Sequence, residues 1–229
     1  PTTAPKPEDK APNVRGNNIT LNVKDSAGLL SDKVTIYKVE ELDVQGAGLE
    51  NLKAIARADA SSVTWNETDN TIKIQEKLPI GVLLNSESGK LKIAKDNSST
   101  PVDGSVYVQN RLDPKSEESN PYKDINVAEV KATGDVSIHS IGAIFNAVDP
   151  AVEADAIAIM AKNLELAAMG DIGTADKNLT TDINGGTLAA VSETGNIYID
   201  NIGKSDIYLK NMAAPKGAIS VKNTQNIYA

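Results

Sequence analysis

One histidine and a scatter of aspartates are the residues of this chain that could do acid–base chemistry. His139 closes the segment Asp135–His139 (DVSIH), and the sequence holds no second histidine and no cysteine. A His-based zinc site or a catalytic dyad therefore has little to build on, and His139 reads as a structural or solvated side chain. A serine triad would need this same histidine, and no Gly-x-Ser-x-Gly elbow occurs. Asp135, Asp155, Asp171, Asp182, Asp200 and Asp206 could supply paired carboxylates for glycan cleavage. Asp135, Asp171 and Asp200 stand beside Gly or Asn, however, where Asp commonly serves turn chemistry. Asn184–Thr187 (NGGT) does not continue into a calcium-binding repeat, and Gly170–Thr174 (GDIGT) is not a nucleotide fingerprint. Neither a metal nor a cofactor is expected, and the chain reads as a non-enzyme.

Three tyrosines share a position that could bind rather than react. Tyr107, Tyr198 and Tyr208 occupy the middle of a short recurring phrase: a small residue, an apolar–polar–apolar strand, then Asn or Ser. The phrase is found at Gly104–Asn110, Gly134–Ser140, Gly195–Asn201, Ser205–Asn211 and Gly217–Asn223. Side chains alternate along a strand, so these rings are expected to face outward, where they could stack on a sugar or a partner protein. Tyrosine is also favoured on pleated surfaces without any such role.

The elements that must position these residues follow from the same repetition. One phrase cannot bury its single apolar face alone, so copies must stack, which points to a solenoid. Ile197 and Ile219 are 22 residues apart, as are Ile144, Leu166 and Leu188, while Val136 and Ile157 are 21 apart. A return near 22 residues suits one coil of a parallel β-helix over residues 129–229. The steps of 10 and 12 residues from Gly195 to Ser205 to Gly217 then place successive phrases on different faces, with Gly217 returning above Gly195. Ile197, Ile199, Ile219 and Val221 should point inward, and Tyr198, Tyr208 and Ser220 outward.

Residues 17–128 are β-rich but less regular, with strands expected at 17–23, 33–39, 42–44, 62–65, 71–75, 81–84, 90–94 and 105–108. They are either decorated coils of the same stack or a separate small β domain. Gly48–Arg57 is either a short helix or an Ala-rich strand pair, and residues 111–124 read as a polar excursion. Residues 1–16 read as a Pro-rich extended linker. A chain that starts in a linker and stops within a phrase at Asn226–Ala229 looks like part of something longer.

Composition narrows the function. Aromatic residues make up 3% of the chain, so Leu, Ile, Val and Ala must fill the interior. A net charge of −8 argues against nucleic-acid binding, which needs clustered Lys and Arg. No apolar run reaches the ~18 residues of a membrane-spanning helix.

The segment Asn163–Gly203, with Leu164–Thr174 (LELAAMGDIGT), Asn178-Leu179 and Gly195–Ile199 (GNIYI), resembles the repeat region of filamentous haemagglutinin-like exoproteins. These are large bacterial surface proteins of the two-partner secretion type, including adhesins and leukotoxin-like proteins. The resemblance covers residues 130–229 and implies a right-handed parallel β-helix. It further implies a secreted or cell-surface location, export through an outer-membrane transporter, and a host-cell protein or glycan as partner. The family's secretion domain is not recognisable, and residues 1–128 match the repeats poorly. The expected function is a structural, adhesive shaft. The alternatives are a polysaccharide lyase or hydrolase, and the shaft of a secreted toxin or contact-dependent competition protein.

Overall fold

The computed structural model describes residues 14–38, 63–66, 71–110, 122–149 and 156–229. The strand expected at 42–44, Gly48–Arg57, Asp155, residues 111–121 and the linker before Val14 lie outside the described residues. Regular structure among the described residues is entirely β, in nineteen strands numbered in chain order. The chain divides into two compact units, Gly28–Leu78 and the remainder, Pro1–Ala27 with Pro79–Ala229.

The larger unit holds two parallel sheets. The first runs β1 (Val14–Gly16), β6 (Ile80–Leu84), β8 (Val106–Asn110), β10 (Val136–Ser140), β13 (Leu164–Ala168), β15 (Thr187–Ser192), β17 (Ile207–Ala213) and β19 (Ile227–Tyr228). The second runs β2 (Ile19–Asn22), β7 (Leu91–Ala94), β9 (Ile125–Lys131), β12 (Ile159–Ala161), β14 (Leu179–Ile183), β16 (Ile197–Asn201) and β18 (Ile219–Asn223), with β11 (Ile144–Asn146) also beside β9. From β6 onward the chain passes from one sheet to the other, except that β11 and β12 both lie beside β9 in the second. Each strand therefore lies parallel on the strand one return earlier, about 4.8 Å away.

The alternation expected from the sequence sets which side is buried. In β13, Leu164, Leu166 and Ala168 are buried while Glu165 and Ala167 are half-buried. Register stacks Leu164 between Val136 and Leu188, and Leu166 between Ile138 and Ala190. All of these belong to one aliphatic core. Each fully buried Leu or Ile contributes roughly 1.5–3 kcal/mol relative to exposure, so the narrow core is held by many small layers.

The 22-residue return holds at Ile197↔Ile219 and Ile159↔Thr181. Elsewhere it varies, being 36 residues at Leu91↔Val127, 30 at Val106↔Val136, 20 at Ile207↔Ile227 and 19 at Ile125↔Ile144. Leu188 pairs with Leu164 rather than aligning with Leu166, Ile144 lies beside Ile125, and Val136 registers with Leu164. The equal spacings of Ile144, Leu166 and Leu188, and the step from Val136 to Ile157, are thus not registers. Strands stay paired with their neighbours, while corners between them absorb extra residues.

Glycine opens the phrase because levels approach closely there. A Cβ on Gly134 would meet Ser105 Oγ at 2.6 Å and the Gly104 carbonyl oxygen at 2.8 Å, well inside ordinary contact. Ile197 and Ile199 point inward and are fully buried, whereas Ile219 is 45% exposed because β18 is the last strand of its sheet.

The unit Gly28–Leu78 contains β3 (Leu29–Lys38), β4 (Val63–Asn66) and β5 (Thr71–Leu78), antiparallel in the order β3-β5-β4. None of the described residues forms a helix long and apolar enough to cross a membrane.

Candidate functional site

The corners show what the aspartates do. Asp135 accepts a hydrogen bond from Nδ2 of Asn163 at 2.8 Å, and its own N–H donates to Ser105 Oγ at 3.1 Å. Asn163 Oδ1 in turn accepts from the backbone N–H and the hydroxyl of Thr187 at 3.0 and 3.1 Å. The Ser105 N–H donates to Ser26 Oγ. Ser26, Ser105, Asp135, Asn163 and Thr187 therefore make one polar ladder at the entry to the first sheet. Asp171 Oδ1 accepts from N and Nδ2 of Asn196, whose Oδ1 accepts from the Ala218 N–H, at the entry to the second. Asp206 Oδ1 likewise accepts from N and Nδ2 of Asn226. Strand entry leaves a backbone donor that the sheet ladder does not reach, and a short Asx or Ser side chain from the preceding level supplies the acceptor. The Gly-Asx start of the phrase is this ladder written in sequence.

Asp182 and Asp200 stand apart from the ladders. Asp200, on β16, lies in register with Lys222 and borders a hollow of about 530 Å³ with Asp176, Lys177 and Thr180. Asp182, at β14, borders a larger groove of about 940 Å³ that follows the corners leading into the first sheet. Lys162, Asn184, Lys204 and Ser205 line that groove, and Met160 and Ile202 add apolar surface. Nothing in the sequence marks this groove, because successive corners share neither length nor composition.

His139 sits on the outward face of β10, with Nε2 3.1 Å from Glu165 Oε1 and 3.3 Å from Ser137 Oγ. A Ser–His–carboxylate relay uses both ring nitrogens, one toward the nucleophile and the other toward the carboxylate. Here both partners meet the same nitrogen, so the cluster is a surface hydrogen-bond group and not a relay. Among the described residues, no three His, Asp or Glu side chains gather as metal ligands.

The three tyrosines do not share one face. Tyr107 and Tyr208 belong to the first sheet and Tyr198 to the second. Tyr107 is 4% exposed, so its ring is not available as the sequence led one to expect. The alternation rule gives the side of the strand, but not whether other chain covers that side. Tyr198 is half-buried and Tyr208 is 46% exposed. Tyr208 has an unexpected partner in Tyr228, also 46% exposed, with ring centroids 5.2 Å apart and planes 21° apart. Register brings them together, because β17 pairs with β19 at Ile207↔Ile227 and Tyr208↔Tyr228. The signal was present in Asn226-Ile-Tyr228, which repeats Asp206-Ile-Tyr208 one return later.

On β9 of the second sheet, Glu129 gathers an ionic cluster. Its carboxylate meets Lys92 at 2.7 Å and Lys131 at 3.1 Å, and accepts from Ser99 Oγ at 3.0 Å. Burial alone would raise this carboxyl, but the bonds from Lys92, Ser99 and Lys131 together outweigh it and hold it below its ordinary value.

Compared with protein-family models, with curated proteins and with solved structures, the chain matches none.

Proposed function

We propose that this chain is a structural, adhesive segment: a right-handed parallel β-helical shaft, with coils of about 22 residues in its C-terminal half, that presents a binding surface. The observation that carries this reading is the parallel pairing of eight strands in each of two sheets around an unbroken aliphatic core. Such a stack resists unfolding level by level, because removing any strand exposes two ladders of hydrogen bonds and apolar side chains. The outward Tyr208–Tyr228 pair offers two rings for a sugar or a protein side chain. A secreted or cell-surface location, export through an outer-membrane transporter and a host-cell protein or glycan as partner complete the proposal. They rest on the resemblance of residues 130–229 to haemagglutinin-like repeats.

The groove holding Asp182 favours a second reading, a glycan-cleaving enzyme on the same scaffold. One pair of assays separates the two. Purified chain is screened on glycan arrays and cultured cells, and is incubated with acidic and neutral polysaccharides with and without calcium. The shaft reading expects binding without turnover. Cleavage that is abolished by Asp182→Asn would overturn it.

A further inference from the structure

The turn between β14 and β15 carries chemistry that neither a shaft nor a glycan site uses. Asn184-Gly185 is the single Asn–Gly step of the sequence. Both residues are exposed, and Asn184 lines the corner groove. At the corner ladders, Asn163, Asn196, Asn201, Asn223 and Asn226 each commit their Nδ2 to a neighbouring oxygen. Nδ2 of Asn184 makes no hydrogen bond among the described residues. Its Oδ1 instead accepts from Ser205 Oγ at 3.1 Å, which draws electron density away from Cγ.

We propose that Asn184 is a self-modification site, converting to aspartate and isoaspartate with water as the only co-reactant. The nitrogen of Gly185 attacks Cγ of Asn184. The N–Cγ bond forms, the Cγ–Nδ2 bond breaks, and ammonia leaves with the proton given up by the Gly185 amide. Water then opens the resulting succinimide at either carbonyl. Opening at Cγ leaves aspartate, and opening at the main-chain carbonyl leaves isoaspartate. No redox change occurs at any step.

The geometry supports the necessary movement. The Gly185 N–H donates to the Ile183 carbonyl at 3.0 Å, the two-residue closure of a γ-turn around Asn184, and this turn must open before the nitrogen can reach Cγ. Gly185 has φ +69°, and nothing lies within 4 Å of the place its Cβ would occupy, so the turn is open on that side. The next residue behaves in the opposite way: a Cβ on Gly186 would run into the Lys162 carbonyl and come within 2.8 Å of Asn163 Oδ1. The turn is thus anchored at Gly186 and free at Gly185. Conversion places a new carboxylate in a groove whose Lys162 and Lys204 have no ion-pair partner among the described residues.

The test is incubation of the folded chain in mildly alkaline buffer, followed by peptide mapping, isoaspartyl methyltransferase labelling and isoelectric focusing. Circular dichroism confirms that the fold persists. The expected result is the mass gain of one deamidation, confined to the peptide holding Asn184, with isoaspartate label and one acidic charge step, faster at higher pH. Asn184→Gln should abolish all three signals and Ser205→Ala should slow their appearance. An unmodified Asn184 peptide in the folded chain, when the same peptide converts in denaturant, would overturn the proposal. So would label spread over the ladder asparagines.

Discussion

Nδ2 of Asn201 donates to Oδ1 of Asn223 at 2.8 Å, one level along the second sheet, with neither residue on the outer face of the strand. Asn201 is fully buried, and its Oδ1 also accepts from Thr181 Oγ1 at 2.9 Å and from the Ile183 N–H at 2.8 Å. The amide is a polar rung inside an aliphatic stack, tolerable only because all of its groups are partnered. Asn201→Leu keeps the branching of the side chain but strands a buried N–H and a buried hydroxyl. The expected loss is about 2 kcal/mol, read as a lower urea midpoint at unchanged m-value. Asn184→Ala, in an exposed turn, should stay within about 0.5 kcal/mol.

Position in the stack should set the cost of losing an aliphatic side chain. Leu166 is 1% exposed between Ile138 and Ala190, and Leu166→Ala should cost about 2–5 kcal/mol. Ile219→Ala, at a half-open position on the last strand, should cost well under half of that. Equal losses from the two variants in chemical denaturation would contradict the layered core.

Two glycines separate steric need from conformational need. Gly134→Ala drives a methyl group into Ser105 and Gly104, an overpacking expected to cost about 1–3 kcal/mol. Gly185→Ala meets no atom and carries only the positive-φ penalty of about 1–2 kcal/mol. Thermal melts should rank Gly134→Ala below Gly185→Ala. The reverse order would mean that the levels do not approach as closely as described.

Acid should weaken the stack through Glu129. Its folded carboxyl titrates below the ordinary 4.5, so the unfolded chain takes up a proton first as the pH falls. The stability that it contributes is fully present above 4.5 and is lost between that value and its lower folded value. Urea midpoints measured across this range should fall more steeply for the native chain than for Glu129→Gln. Parallel curves would remove the assignment.

The tyrosine pair gives the binding proposal its sharpest variant. Tyr208→Ser with Tyr228→Ser removes both exposed rings at a stability cost of about 1 kcal/mol. Binding on cells or glycan arrays should disappear while the melt stays cooperative. Unchanged binding would move the contact surface elsewhere on the chain.

Strand direction and sidedness were legible in the sequence because alternation and the recurring phrase record them locally. Ile197, Ile199 and Tyr208 fall on the sides expected. The 10-and-12 step correctly put Ser205–Asn211 and Gly217–Asn223 in different sheets. Level assignment was not legible where corners vary, since the sequence counts residues while the sheet counts strands. That is why Leu166 looked like a partner of Leu188, and why the ladder from Ser26 to Thr187 could be read only as turn-favouring residues. Tyr107 failed for a different reason: alternation assigns a side of the strand and carries no information on how exposed that side is, and Tyr107 is 4% exposed.

Ile19 lies in register with Leu91 although the whole unit Gly28–Leu78 falls between them. Closing so long an excursion costs little more than closing a short one, because loop entropy grows only with the logarithm of length, about 0.6 kcal/mol for each doubling. The sheets therefore keep no tally of what is threaded through a corner. A corner can gain or lose an entire folded insert, natural or engineered, while the strands on either side of it keep the same partners.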